Sequence, residues 1–81
     1  MKATIHVTLK PDVLDPQGKA IRNASAQLGY DAITGVRQGK LFEIELDASG
    51  ADEARRLLDE LADKLLANPV IEDYEIIRLE D

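Results

Sequence analysis

The side chains in this sequence that could do chemistry are few, and most sit in two short stretches. The first is Lys10-Pro11-Asp12-Val13-Leu14-Asp15-Pro16-Gln17-Gly18, with two prolines, a glycine and charges at Lys10, Asp12 and Asp15. Each proline fixes φ, removes a backbone donor and turns the residue before it away from the helical region. Asp15 stands where a helix N-cap belongs, and Pro16 follows at the first helical position, where a missing N–H costs nothing. Gly18 has no side chain in the first turn, which leaves room for something to approach the backbone. The loop is therefore rigid and charged, and such loops both start helices and carry function. The second stretch is Arg37-Gln38-Gly39-Lys40, two cations at a tight turn. It reads in two ways: as solubilising residues, or as a basic knob that docks a carboxylate or phosphate, with arginine offering a bidentate fork.

Little else could act on a substrate. His6 is the only histidine and lies among threonines, with no orienting partner nearby in sequence. A general base needs both reach and orientation, so an ordinary sheet-face histidine is the better reading. Glu43 and Glu45 point the same way along one strand, either as a site or as a wet sheet face. Asp59, Glu60 and Asp63 belong to a solvated helix face. The chain has no cysteine, which removes disulfides, thiolate metal sites and thiol nucleophiles. No active site emerges.

The elements that must position these residues are plain in the pattern. Ala3, Ile5, Val7 and Leu9 alternate with Lys2, Thr4, His6 and Thr8, a half-buried strand. Ala20, Ile21, Ala24 and Leu28 recur at helical spacing, with Lys19, Arg22, Asn23 and Gln27 on the other side and Gly29 as a left-handed cap. Ile33–Arg37 predicts a short strand and Leu41–Asp47 a longer one, joined as a hairpin across Gln38-Gly39. Ser49 and Asp52 resemble a capping box for a helix whose stripe is Ala54, Leu57, Leu58, Leu61, Leu65 and Leu66. Asn68-Pro69 stops that helix, and Val70–Leu79 forms the last strand, with Tyr74 and Ile76 on one parity and Ile71, Ile77 and Leu79 on the other.

The order β-α-β-β-α-β predicts an α+β, ferredoxin-like fold: a four-stranded antiparallel sheet with two helices on one face. Residues 1–81 form one domain. The opposite face shows Thr4, His6, Thr8, Glu43 and Glu45 together with Leu41, too apolar in places to be left to water. A metal-carrying version of this fold needs paired cysteines. An acylphosphatase-like version needs a glycine-rich phosphate cradle with an arginine after the first strand, and Lys10-Pro11-Asp12 offers neither the glycines nor the amides. An RNA-recognition version needs rings where His6, Thr8, Glu43 and Glu45 stand.

Composition narrows the partners. A net charge of −6 argues against nucleic acid, whose affinity rests on cationic contacts. Two tyrosines and one phenylalanine leave few rings for stacking a base. Alternation begins directly after Met1-Lys2 with no apolar block like a signal peptide, and no run is long enough to span a bilayer, so the expectation is a soluble cytoplasmic protein without membrane contact. A chain of 81 residues buries only about 60–65% of its unfolded surface, which predicts a homo-oligomer, most simply a dimer.

Three segments taken together add a resemblance. Lys10 with Val13-Leu14-Asp15-Pro16-Gln17-Gly18, Gly29-Tyr30 with Val36-Arg37-Gln38-Gly39-Lys40, and Leu66-Ala67-Asn68-Pro69-Val70-Ile71-Glu72-Asp73-Tyr74 closely resemble the PurS family over essentially the whole chain. PurS is the small subunit of the multi-protein phosphoribosylformylglycinamidine synthase of purine biosynthesis. The resemblance implies a chain that is non-catalytic by itself but belongs to an ATP- and glutamine-dependent C–N ligase. It implies self-association and a bridge between a glutaminase subunit and a large synthetase subunit, so that ammonia passes between them. No cofactor is expected on this chain; ATP and Mg belong to the large subunit. The candidate interface residues are Lys10, Asp15, Gln17, Gly18, Arg37, Gly39 and Lys40. The alternative is an ACT-like regulatory module, in which an amino acid would approach the backbone at Gly18.

Overall fold

A computed structural model describes residues 1–80. Strand β1, Lys2–Leu9, is the centre of a three-stranded antiparallel sheet, flanked by β2, Gly39–Glu45, and β3, Glu72–Glu80. Helix α1 covers Pro16–Gln27, and α2 covers Ala51–Leu61, continuing into a π-helical turn at Ala62–Leu66. The alternation in β1 does what it predicts: Ala3, Ile5 and Val7 are buried, and Thr4, His6 and Thr8 take the other face. Phe42 and Ile44 stand opposite Ile5 and Ala3 and extend the buried face across β2.

Helix α2 closes this core with Ala54 and Leu58, and the π turn adds Ala62 and Ala67. The turn is closed by the Ala67 N–H on the Ala62 carbonyl, 2.8 Å, one residue longer than an α turn. That extra residue rotates the stripe, so that Leu66 and Ala67 face the sheet and Leu65 is 77% exposed. The cap of α2 also differs from the expected pair of Ser49 and Asp52. Gly50 is the N-cap, and the Ser49 N–H and hydroxyl both donate to the Glu53 carboxylate. Those bonds, the hydroxyl's above all, hold the Glu53 carboxyl below its ordinary pKa.

The last strand carries a bulge. Ile76 pairs with Ile5, but Thr4 pairs with Arg78, leaving Ile77 as the extra residue. The slip moves Leu79 onto the same face as Tyr74 and Ile76, whereas plain alternation placed it opposite them. Ile77 is half exposed. The Tyr74 hydroxyl reaches the Asp59 carboxylate at 3.2 Å and ties β3 to α2. Burial, followed by the neighbouring Asp59 charge, raises the Tyr74 pKa.

Two expectations fail together. Among the described residues the sheet has three strands rather than four, because Ile33–Arg37 pairs with none of them. Gln38-Gly39 is accordingly not a hairpin turn, and Gly39 is the first residue of β2, opposite Thr8. The two helices also do not share one face of the sheet. Of α1 only Gly18 is buried, while Ile21 and Leu28 are 46% and 75% exposed. The helix leaves the sheet as an arm and ends in a Schellman turn, with Gly29 at φ 92° and the Tyr30 N–H on the Ser25 carbonyl at 2.9 Å. Residues 30–38 then return to β2. The radius of gyration is 16.1 Å, against about 12 Å for a compact chain of this length.

Candidate functional site

The loop after β1 and the segment before β2 are distant in sequence, and the structure ties them into one knot at the base of the arm. Asp15 is its centre, only 6% exposed. Its Oδ1 accepts the Gly18 N–H at 2.9 Å as an N-cap, and its Oδ2 accepts the Gln38 N–H at 2.6 Å. These bonds, Gln38 first and Gly18 second, hold the Asp15 carboxyl below its ordinary pKa, with help from the Arg37 charge. The carboxylate thus does two jobs: it starts α1, and it fixes where the returning segment enters β2.

Gly18 is present because the knot leaves no space. A Cβ there would stand 2.2 Å from the Val36 carbonyl oxygen and 2.7 Å from Asp15 Oδ2. The group that approaches this backbone is thus the chain's own Val36, which removes the geometric reason for an ACT-like ligand at that position. Gly39 has a similar role. A Cβ there would lie 2.9 Å from His6 Nε2 and from the Val7 carbonyl, so the glycine lets β2 begin beneath the imidazole.

The cations are not the free knob their sequence suggests. Lys10 is held three ways: its N–H donates to the Ile71 carbonyl at 2.8 Å, its ammonium meets Asp73 at 2.7 Å, and its carbonyl accepts Arg37 Nη2 at 3.0 Å. Lys40 faces Glu72 at 3.7 Å. Glu72 also accepts the Asn68 N–H at 2.7 Å, which pins the helix stop to the same corner. Gln17 is exposed and lines a small cleft with Gln38, Gly39 and Lys40. The seven candidates therefore converge, but Lys10, Asp15, Gly18, Arg37 and Gly39 are spent largely on holding the chain to itself. Sequence reading missed Val36, Glu72 and Asp73, since nothing in their spacing marks them as partners of Gly18, Lys40 and Lys10, which lie 18 to 63 positions away.

The fold that carries this knot recurs in known proteins. The family model described as PurS, phosphoribosylformylglycinamidine (FGAM) synthase, matches residues 2–80. The chain belongs to the PurS family. It is 50% identical over 78 residues to the phosphoribosylformylglycinamidine synthase subunit PurS of Synechocystis sp., covering 94% of this chain and 78% of that one. It is 48% identical over 77 residues to the PurS subunit of Mycobacterium leprae, covering 95% and 94%. Among solved structures, the C2 crystal form of Bacillus subtilis PurS superposes with a TM-score of 0.88 at 41% identity, covering 99% of this chain and 98% of that one. A chain of PurLQS from Thermotoga maritima superposes with a TM-score of 0.84 at 26% identity, covering 98% and 99%.

Proposed function

We propose that this subunit of phosphoribosylformylglycinamidine synthase works in purine biosynthesis as a non-catalytic bridge. It self-associates and holds a glutaminase subunit against a large synthetase subunit so that ammonia passes between them. The observation that carries this reading is the arm. With the arm extended, the chain exposes 5914 Å², against about 4,800 Å² for a compact protein of this mass. The excess is of the size that one side of a stable protein interface hides, about 800 Å². Ile21, Leu28, Tyr30 and Ile33 on the arm are all exposed, a cost in water that a second copy or another subunit removes.

PurLQS from Thermotoga maritima supplies the precedent for a shared assembly. The chain's own groups support a role without chemistry, since the one buried carboxylate among the described residues, Asp15, is saturated by amides. ATP, Mg and the amidation belong to the large subunit in this reading, and the chain takes no cofactor of its own. Among the described residues no helix is long and apolar enough to cross a membrane, in keeping with work in the cytoplasm. The test is reconstitution with the glutaminase and synthetase subunits, with glutamine-dependent and ammonia-dependent turnover measured with and without this chain. Omission should abolish the first and spare the second. Glutamine or ATP hydrolysis by the pure chain, or glutamine-dependent turnover that ignores its omission, would overturn the reading.

A further inference from the structure

The arm has two sides, and they differ in chemistry. At roughly 100° per residue, Ile21, Ala24 and Leu28 fall on one side of α1, and Lys19 and Arg22 fall opposite. The returning segment runs along the second side, so that Lys19, Arg22 and Arg37 line one groove with Leu14, Thr34 and Val36. This concentration is unusual for the chain. Of its ten lysines and arginines, Lys10, Lys40, Arg56 and Arg78 are ion-paired among the described residues, leaving six. Three of those six line this groove. Arg37 spends one guanidinium nitrogen on the Lys10 carbonyl, and Arg22 makes only a 3.5 Å contact with the adjacent Asn23. Asp15 also lines the groove, but its two oxygens are taken by the Gly18 and Gln38 amides, so the three cations outnumber it and a further bound carboxylate relieves their mutual repulsion.

Resting on the bridging function above, we infer that this groove docks an acidic segment of one of the other enzyme subunits, with carboxylates meeting Lys19, Arg22 and Arg37 and an apolar side chain meeting Leu14 and Val36. Charge complementarity fixes the chemistry of the occupant. The opposed apolar stripe accounts for self-association and leaves the cationic side for an unlike partner. The groove is open and shallow, which suits an extended protein segment. The site also differs from the one the sequence suggested: Lys10 and Lys40 drop out because they are paired internally, and Lys19 and Arg22 enter.

The test is the double variant Lys19→Glu, Arg22→Glu. Both positions are exposed on α1, and an acidic residue in the first turn suits the helix dipole, so the fold should hold by circular dichroism. Its affinity for each of the two purified partner subunits, titrated at several salt concentrations, is compared with that of wild type. Light scattering then reports the self-association of each form. The expected result is a loss of affinity of about tenfold or more for one partner, a flatter salt dependence and unchanged self-association. Unchanged affinity for both partners refutes the groove. Altered self-association with affinity retained refutes it too, by assigning the groove to a second copy. If wild type itself binds neither partner, the bridging function fails instead, and the two failures are told apart.

Discussion

Replacing Gly18 by alanine sets two effects of opposite sign against each other. Position 18 lies in the first turn of α1, where glycine is the poorer helix former by about 1 kcal/mol, so propensity alone expects the alanine variant to be more stable. The knot expects the reverse. The added Cβ would stand 2.2 Å from the Val36 carbonyl and 2.7 Å from Asp15 Oδ2, and the nearer neighbour is backbone, which cannot swing aside as a side chain can. Overpacking of this kind costs about 1–3 kcal/mol, and so close an approach to a carbonyl belongs at the upper end. Relief requires either Val36 or the α1 start to move, and each movement strains an Asp15 bond, to Gln38 or to Gly18. The net expectation is a destabilisation of about 2 kcal/mol, or roughly 8–16 °C in Tm for a domain of this size. Urea and thermal unfolding of both forms should be compared at one protomer concentration, because the proposed self-association would add a mass-action contribution. An alanine variant as stable as wild type, or more so, would show that the returning segment is loosely held and that the knot does not aim the arm.

Other outcomes follow from the same geometry. Asp15→Asn should flatten the acid limb of the stability curve. The carboxyl's folded pKa is depressed, so its contribution is complete above about pH 4 and is lost as pH falls through the lower folded value. Unfolding series at stepped pH should therefore show wild type and variant converging in acid and separating towards neutrality. Ile21→Asp with Leu28→Asp should leave circular dichroism nearly unchanged, since neither residue touches the core, while light scattering reports a smaller oligomer. Gly39→Val should disturb β2 at its first residue through contact with His6 and the Val7 carbonyl, lowering Tm despite valine's preference for strands.

What the sequence disclosed and what it hid divide along one physical line. Features decided by neighbours in sequence were legible: the alternation in β1, Asp15 as N-cap with Pro16 behind it, Gly29 as a left-handed stop. Features decided by distant partners were not. Ile33–Arg37 has strand-like residues but joins no ladder among the described residues, and Val36 serves instead as the wall against Gly18. The bulge at Ile77 reverses the parity of Leu79, a shift that only pairing with β1 reveals. At the candidate site the chosen residues come together in space, but most of their polar groups are engaged within the chain. Arg37 and Lys40 looked like free charge, yet Arg37 braces the Lys10 carbonyl and Lys40 faces Glu72. The surface offered to a partner is what this bracing leaves over: an arm held at a fixed angle, apolar on one side and cationic on the other. A helix folded back on its own sheet would have hidden both sides, and the knot of Asp15, Gly18 and Val36 holds α1 out where other chains can reach it.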